Sequence, residues 1–100
     1  AVNDVNAVRA RAFNNSPAGV ITAGQLNADF LLAERGREFY YEAQRRTDLV
    51  RFGKFTNGNY FWSWKGGAAN GVNTDKHLNV FPIPSDELSS NTNIVPTPGY

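Results

Sequence analysis

Residues 22–54 read TAGQLNADFLLAERGREFYYEAQRRTDLVRFGK, and they hold more than half of the charged side chains in the chain. Thr22 with Gln25 three positions on has the form of a capping box, so the spacing predicts a helix that begins near Ala23. Gly53 is placed to end it, because glycine accepts the left-handed conformation found after many helix C-termini. Leu26, Phe30 and Ala33, with Leu31, Leu32, Phe39, Ala43 and Val50, recur at three- and four-residue steps, which predicts one broad buried face on a single long helix reaching Lys54. Glu34, Glu38 and Glu42 stack four apart and would repel if left alone. Local spacing offers them cations: Glu34 reaches Arg37, Glu38 lies between Arg35 and Arg45, Glu42 reaches Arg45 and Arg46, and Asp48 pairs with Arg51. Two readings fit these charges. One is a structural network of Glu34, Arg35, Glu38, Glu42, Arg45, Arg46, Asp48 and Arg51 held against the core; the other is a solvated face of weak pairs. Phe39, Tyr40 and Tyr41, set among the charges, favour the network.

The 100 residues suit one small domain or a piece of a larger protein. Net charge is +1 with acids and bases nearly balanced, so no global field draws in nucleic acid or an anionic membrane. Cysteine is absent, which excludes disulfides, thiolate catalysis and Cys-based metal sites. Methionine is absent too, and the expectation is a processed or truncated chain. No apolar run approaches the roughly 20 residues of a membrane span, and any targeting signal would lie upstream of Ala1.

Taken from the start, Val2, Val5, Val8 and Ala12, with Ala7 and Ala10, predict a shorter helix that ends near Phe13. The stretch Asn14-Asn15-Ser16-Pro17-Ala18-Gly19 stops it with turn formers, and its Asn14-Asn15-Ser16 matches a glycosylation triplet by composition. Helix, short loop and longer helix make an αα-hairpin over residues 1–54, the unit from which helical repeats are built. Residues 55–100 read as a loop-rich, irregular wrap. Within it, 77–81 predicts a short extended segment halted by Pro82 and Pro84, Ser85 is the expected cap of a single helical turn, and residues 91–100 form an irregular tail.

Catalytic chemistry finds little footing here. Carboxylates along one helix face among arginines do not flank a substrate bond, and arginine neighbours lower their pKa values. His77 stands alone without a ligand cluster, Gly66-Gly67 lacks the context of a phosphate loop, and no nucleophile has a base beside it. No cofactor or metal ligand set is expected, although a calcium site built from loop carbonyls stays open. The aromatic run Tyr60-Phe61-Trp62-Ser63-Trp64 is the best candidate, since flat rings beside a polar loop are what the apolar face of a sugar stacks on. Tyr60, Trp62 and Trp64 are therefore the candidate ligand-binding residues. Alternation points Trp62 and Trp64 the same way if the stretch is extended. The competing reading is that these rings cover the end of a small core.

An ordered series of motifs is similar to the C-terminal portion of SusD/RagB-family proteins. It comprises Ile21-Thr22, the run Glu34-Arg35-Gly36-Arg37-Glu38-Phe39, residues 42–53, Phe81-Pro82-Ile83-Pro84 and the terminal Pro98-Gly99-Tyr100. Ala43 stands where the family usually has glycine, and the tail departs at Thr92 and Pro96-Thr97. The resemblance implies a mostly α fragment of a larger α-rich protein with tetratricopeptide-like repeats. It also implies a non-catalytic lipoprotein of the outer membrane of Bacteroidetes-like bacteria, serving polysaccharide utilisation. Such a protein captures oligosaccharide on the cell surface and passes it to a TonB-dependent, SusC-like transporter. Its lipid anchor would lie upstream, and the charged helix would be scaffold. The alternative role for these residues is a structural or interaction segment that contacts the transporter or the remaining N-terminal part of its own chain.

Overall fold

A computed structural model describes all 100 residues. The chain is mostly helical without strands, with helices α1 (Val2–Ala12), α2 (Ala28–Glu38), α3 (Arg45–Arg51) and α4 (Ser85–Ser90). It divides into two compact units, Ala1–Gln44 and Arg45–Tyr100.

In the first unit, Asp4 lies in the first turn of α1 and Arg9 and Arg11 in its last, the arrangement that the helix dipole favours. The helix ends where Asn14 and Asn15 take positive φ (50° and 60°), which asparagine tolerates better than most residues. Pro17–Gly19 then forms one tight helical turn, with Ser16 accepting from the Ala18 N–H at 3.3 Å. The segment that follows is clasped to α1 at two points. Asn6 Oδ1 accepts from the backbone N–H of Ile21 at 2.9 Å while its Nδ2 donates to the Ile21 carbonyl at 3.0 Å. Ile21 is thereby buried.

The Thr22/Gln25 pair does form, with Gln25 Oε1 accepting from the Thr22 N–H at 2.8 Å, but it opens only a tight turn over Ala23–Gln25. The α-helix proper starts five residues later than the spacing predicts. Asn27 is its cap, accepting from the Phe30 N–H at 2.9 Å. Leu32 is the best-buried side chain of α2. A second correction is larger: the single helix expected to reach Lys54 is two helices, interrupted from Phe39 to Gln44. Tyr41 (φ 68°) and Ala43 (φ 57°) sit in the left-handed region, which no continuing α-helix can contain. A glycine at position 43 would adopt this conformation without strain, whereas alanine carries a Cβ against it.

In the second unit, α3 buries Asp48 and Leu49 and ends as expected at Gly53. Gly53 (φ 66°) donates to the Val50 carbonyl at 3.0 Å and Lys54 donates to the Leu49 carbonyl at 2.8 Å, the paired closure of a Schellman motif. Thr56 is buried; its carbonyl accepts from the Thr74 N–H at 3.2 Å and its hydroxyl accepts from Asn79 Nδ2 at 3.1 Å. The segment expected to be extended from His77 is instead a tight helical turn over Lys76–Asn79, because the Asp75 carboxylate accepts from the His77 N–H at 3.0 Å and caps it. That hydrogen bond, with a second from the His77 ring, holds the Asp75 carboxyl below its ordinary range. The clasp is therefore complete above the ordinary carboxylate pKa and lost as pH falls through the lowered one. α4 follows Pro84, so Ser85 is its first residue and not its cap. The tail is irregular and returns to the Lys76–Asn79 turn. Tyr100 packs edge-on against His77 at 4.7 Å and donates its hydroxyl to the Val80 carbonyl at 3.0 Å.

Replacing Ala43 by glycine removes a left-handed strain of about 1–2 kcal/mol and adds about 0.4–1 kcal/mol of unfolded-state freedom. Ala43→Gly in the full-length parent should therefore gain about 0.5–1 kcal/mol in urea unfolding. A loss of stability would show that the left-handed turn is not the native backbone.

Candidate functional site

The aromatic loop begins where Arg45, on the first turn of α3, donates to the Tyr60 hydroxyl at 2.6 Å and lies over its ring at 5.6 Å. Tyr60 is half-buried as a result. Trp62 stacks on Phe55 with centroids 6.4 Å apart and planes at 22°, and sits 6.4 Å from Tyr60 at a steeper angle. Beneath these rings lies Lys65, only 3% exposed. Its Nζ donates to the Tyr60 carbonyl at 2.7 Å and to the Lys54 carbonyl at 3.3 Å, and lies 4.9 Å from the Trp62 ring and 5.6 Å from Phe61. A buried ammonium needs such partners.

The backbone closes above it. Lys65 donates to the Trp62 carbonyl at 3.1 Å, Val72 to that of Lys65 at 3.1 Å, and Gly67 to that of Trp64 at 3.0 Å. Gly71 has φ 75°, and a Cβ there would stand 2.5 Å from the Trp62 carbonyl oxygen, so only glycine lets the two sides of the loop approach. Trp64 is the exception within this tied loop. It sits at φ 69°, is 69% exposed, and makes no ring contact. A tryptophan held in the left-handed region is strained, by about 1–3 kcal/mol, and persists only where its surroundings fix it.

The three candidate residues thus differ in surroundings. Tyr60 and Trp62 belong to one ring cluster with Phe55 and Lys65, while Trp64 stands outside it. Extended alternation does not relate Trp62 to Trp64, because Trp64 is not extended.

The charged residues are distributed over both units. Glu34 Oε2 accepts from Arg37 Nη2 at 2.5 Å and from Arg9 Nη1 at 2.7 Å, and Arg9 and Glu34 are each nearly nine-tenths buried. Arg9 also donates to the Gly19 carbonyl at 2.5 Å and lies over the rings of Phe13 and Phe30 at 4.8 and 5.5 Å. Glu38 pairs with Arg11 of α1. Arg35 lies over Phe39 at 4.9 Å. Glu42 is exposed, and the arginines assigned to it turn elsewhere: Arg45 to Tyr60, and Arg46 to the Leu78 carbonyl at 2.7 Å, with Phe81 and Phe55 at 3.9 and 5.1 Å. Asp48 is buried on α3 and Arg51 is exposed. Arg9, Arg11 and Lys65 escape a reading by spacing, because their partners are distant in sequence or are carbonyls and rings. The one signal for Lys65 was its place between an aromatic run and a glycine pair.

No three His, Asp or Glu side chains converge as a metal set, and no helix is long and apolar enough to cross a membrane.

Comparison with known families matches residues 1–100 to the SusD family. The chain belongs to the SusD family. It is 41% identical over its full 100 residues to the starch-binding protein SusD of Bacteroides thetaiotaomicron. It spans 17% of that relative's length. The residues of the aromatic loop are therefore part of a SusD-family chain, and the helical architecture is that of a fragment of a larger SusD-like protein.

Burial holds the Lys65 ammonium below the usual lysine range. The folded state releases that proton before the unfolded state does, so the fold gains stability as pH rises between the two pKa values. Lys65→Met keeps the stem and removes the donor, leaving the Tyr60 carbonyl without its strongest partner. In the full-length parent it should cost about 1–3 kcal/mol and open residues 60–72 to amide exchange. Unchanged exchange there would mean that the loop is held by its backbone alone.

Proposed function

We propose that this SusD-family chain is the C-terminal part of a non-catalytic, surface-exposed lipoprotein of the outer membrane. The parent protein captures oligosaccharide and passes it to a TonB-dependent, SusC-like transporter. The relative named as starch-binding makes an α-glucan the first glycan to test. Binding would rest on ring stacking and loop hydrogen bonds, with no bond made or broken.

The observation that supports a ligand contact in these residues is Trp64. A large ring 69% exposed, in a strained conformation, on a loop fixed by a buried cation, is a prepared stacking surface for an apolar sugar face. Tyr60 and Trp62 have a different part, since their rings are occupied by one another, by Phe55 and by cations. They would set the position of the loop while Trp64 makes the contact.

A second reading has its own support. Only three apolar residues are buried, while Tyr41 (92%), Val95 (79%), Tyr40 (73%) and Phe81 (72%) are exposed. Surfaces of that kind favour an interaction segment that packs on the rest of the parent or on the transporter.

Calorimetric titration of soluble starch and a panel of other oligosaccharides into the full-length parent separates the two. Trp64→Ala should weaken binding by about 10- to 100-fold, equivalent to about 1.5–3 kcal/mol for a large buried apolar contact. Trp62→Ala should lower the unfolding midpoint as well as affinity. Full affinity in a folded Trp64→Ala protein would move the glycan site out of this segment and favour the interaction reading.

A further inference from the structure

The sequence contains two Asn-Gly pairs, Asn57-Gly58 and Asn70-Gly71, both with the asparagine exposed and both in loops of the second unit. An asparagine followed by glycine is open to self-modification, because no side chain on the following residue shields its backbone nitrogen. That nitrogen attacks the asparagine Cγ, ammonia leaves, and the resulting succinimide adds water to give aspartate or isoaspartate. The step requires a free N–H, since the attacking nitrogen must lose its proton and swing toward the side chain.

The two pairs differ in just that respect. Gly71 donates its N–H to the Ala68 carbonyl at 2.8 Å, in a turn held at φ 75° where a Cβ would meet the Trp62 carbonyl. Gly58 donates to nothing, and the Asn57 side chain has no hydrogen-bond partner. Gly58 is nonetheless required at its place, since a Cβ would lie 2.6 Å from the Cα of Lys54 and 2.7 Å from the Gly53 carbonyl oxygen. Glycine at this place puts no side chain beside the nitrogen after Asn57, and no carbonyl accepts from it.

We infer that Asn57 is a site of spontaneous deamidation in the folded protein and that Asn70, of the same local sequence, is protected by its turn. Conversion at Asn57 places a new carboxylate, and for isoaspartate an extra main-chain carbon, immediately beside Thr56. That residue joins 56 to 74 and 79 through its carbonyl and hydroxyl. The product therefore loosens the base of the aromatic loop.

The test uses the folded full-length parent, incubated in mildly alkaline buffer and digested with trypsin. Cleavage after Lys54, Lys65 and Lys76 puts each Asn-Gly pair in its own peptide, 55–65 and 66–76. Mass spectrometry then follows exchange of –NH2 for –OH, with fragmentation to locate it. Residue 57 should convert about fivefold faster than residue 70, the factor set by holding one hydrogen bond of about 1 kcal/mol shut. In denaturant the two should convert at equal rates, and Asn57→Gln should silence peptide 55–65. Equal rates in the folded protein, conversion at residue 70 first, or the same ratio folded and denatured would each overturn the inference.

Discussion

A cation laid over aromatic rings and hydrogen-bonded to a backbone carbonyl is the interaction on which both units depend. In the first unit it is Arg9, over Phe13 and Phe30, bonded to the Gly19 carbonyl and to Glu34. In the second it recurs twice. Arg46 lies over Phe81 and Phe55 and holds the Leu78 carbonyl, and Lys65 lies beside Trp62 and Phe61 and holds the Tyr60 carbonyl. With only Ile21, Leu32 and Leu49 buried among apolar residues, area burial alone is a weak source of cohesion here. Each such cation adds a charge-assisted hydrogen bond of about 1.5–3 kcal/mol and ring contacts of about 0.5–2 kcal/mol, against the cost of desolvating the charge. The stems also cover apolar surface that would otherwise face water.

This explains which parts of the charged stretch can be read by eye. Glu34 with Arg37 follows from spacing, because partners three apart on a helix must meet. Arg9 with Glu34 and Arg11 with Glu38 span 25 and 27 residues and leave no periodic trace. Of the three acids four apart, Glu34 and Glu38 meet cations from α1, Arg9 and Arg11, while Glu42 stays exposed. Similarly, Thr22 and Gln25 carry a capping signature and make it, but the α-helix starts only at Ala28, capped by Asn27.

The interruption between α2 and α3 is hidden for another reason. Residues 39–44 contain neither glycine nor proline, and their apolar spacing continues the helical period across the break. Left-handed Tyr41 and Ala43 are conformations that the residue types do not declare. Trp64 is the same case at the candidate site: its left-handed backbone is imposed by the loop closure around Lys65, so an alternation argument that treats the run as extended places its ring wrongly.

The terminal Pro98-Gly99-Tyr100 shows how a short motif carries a physical requirement. Gly99 has φ 96°, and a Cβ there would lie 2.6 Å from the His77 Cβ, so the chain can pass His77 only without a side chain. That passage brings the Tyr100 ring onto His77 and its hydroxyl onto the Val80 carbonyl. Asp75 completes the arrangement by fixing both the backbone and the ring of His77. The glycine, the tyrosine and a carboxylate more than twenty residues upstream therefore form one device. It pins an irregular tail, for which no helix or strand ladder is available, back onto the turn that leads into the Phe81-Pro82-Ile83-Pro84 segment. The motif is legible in sequence as a family mark; its cause is steric, and it lies in the distance between Gly99 and His77.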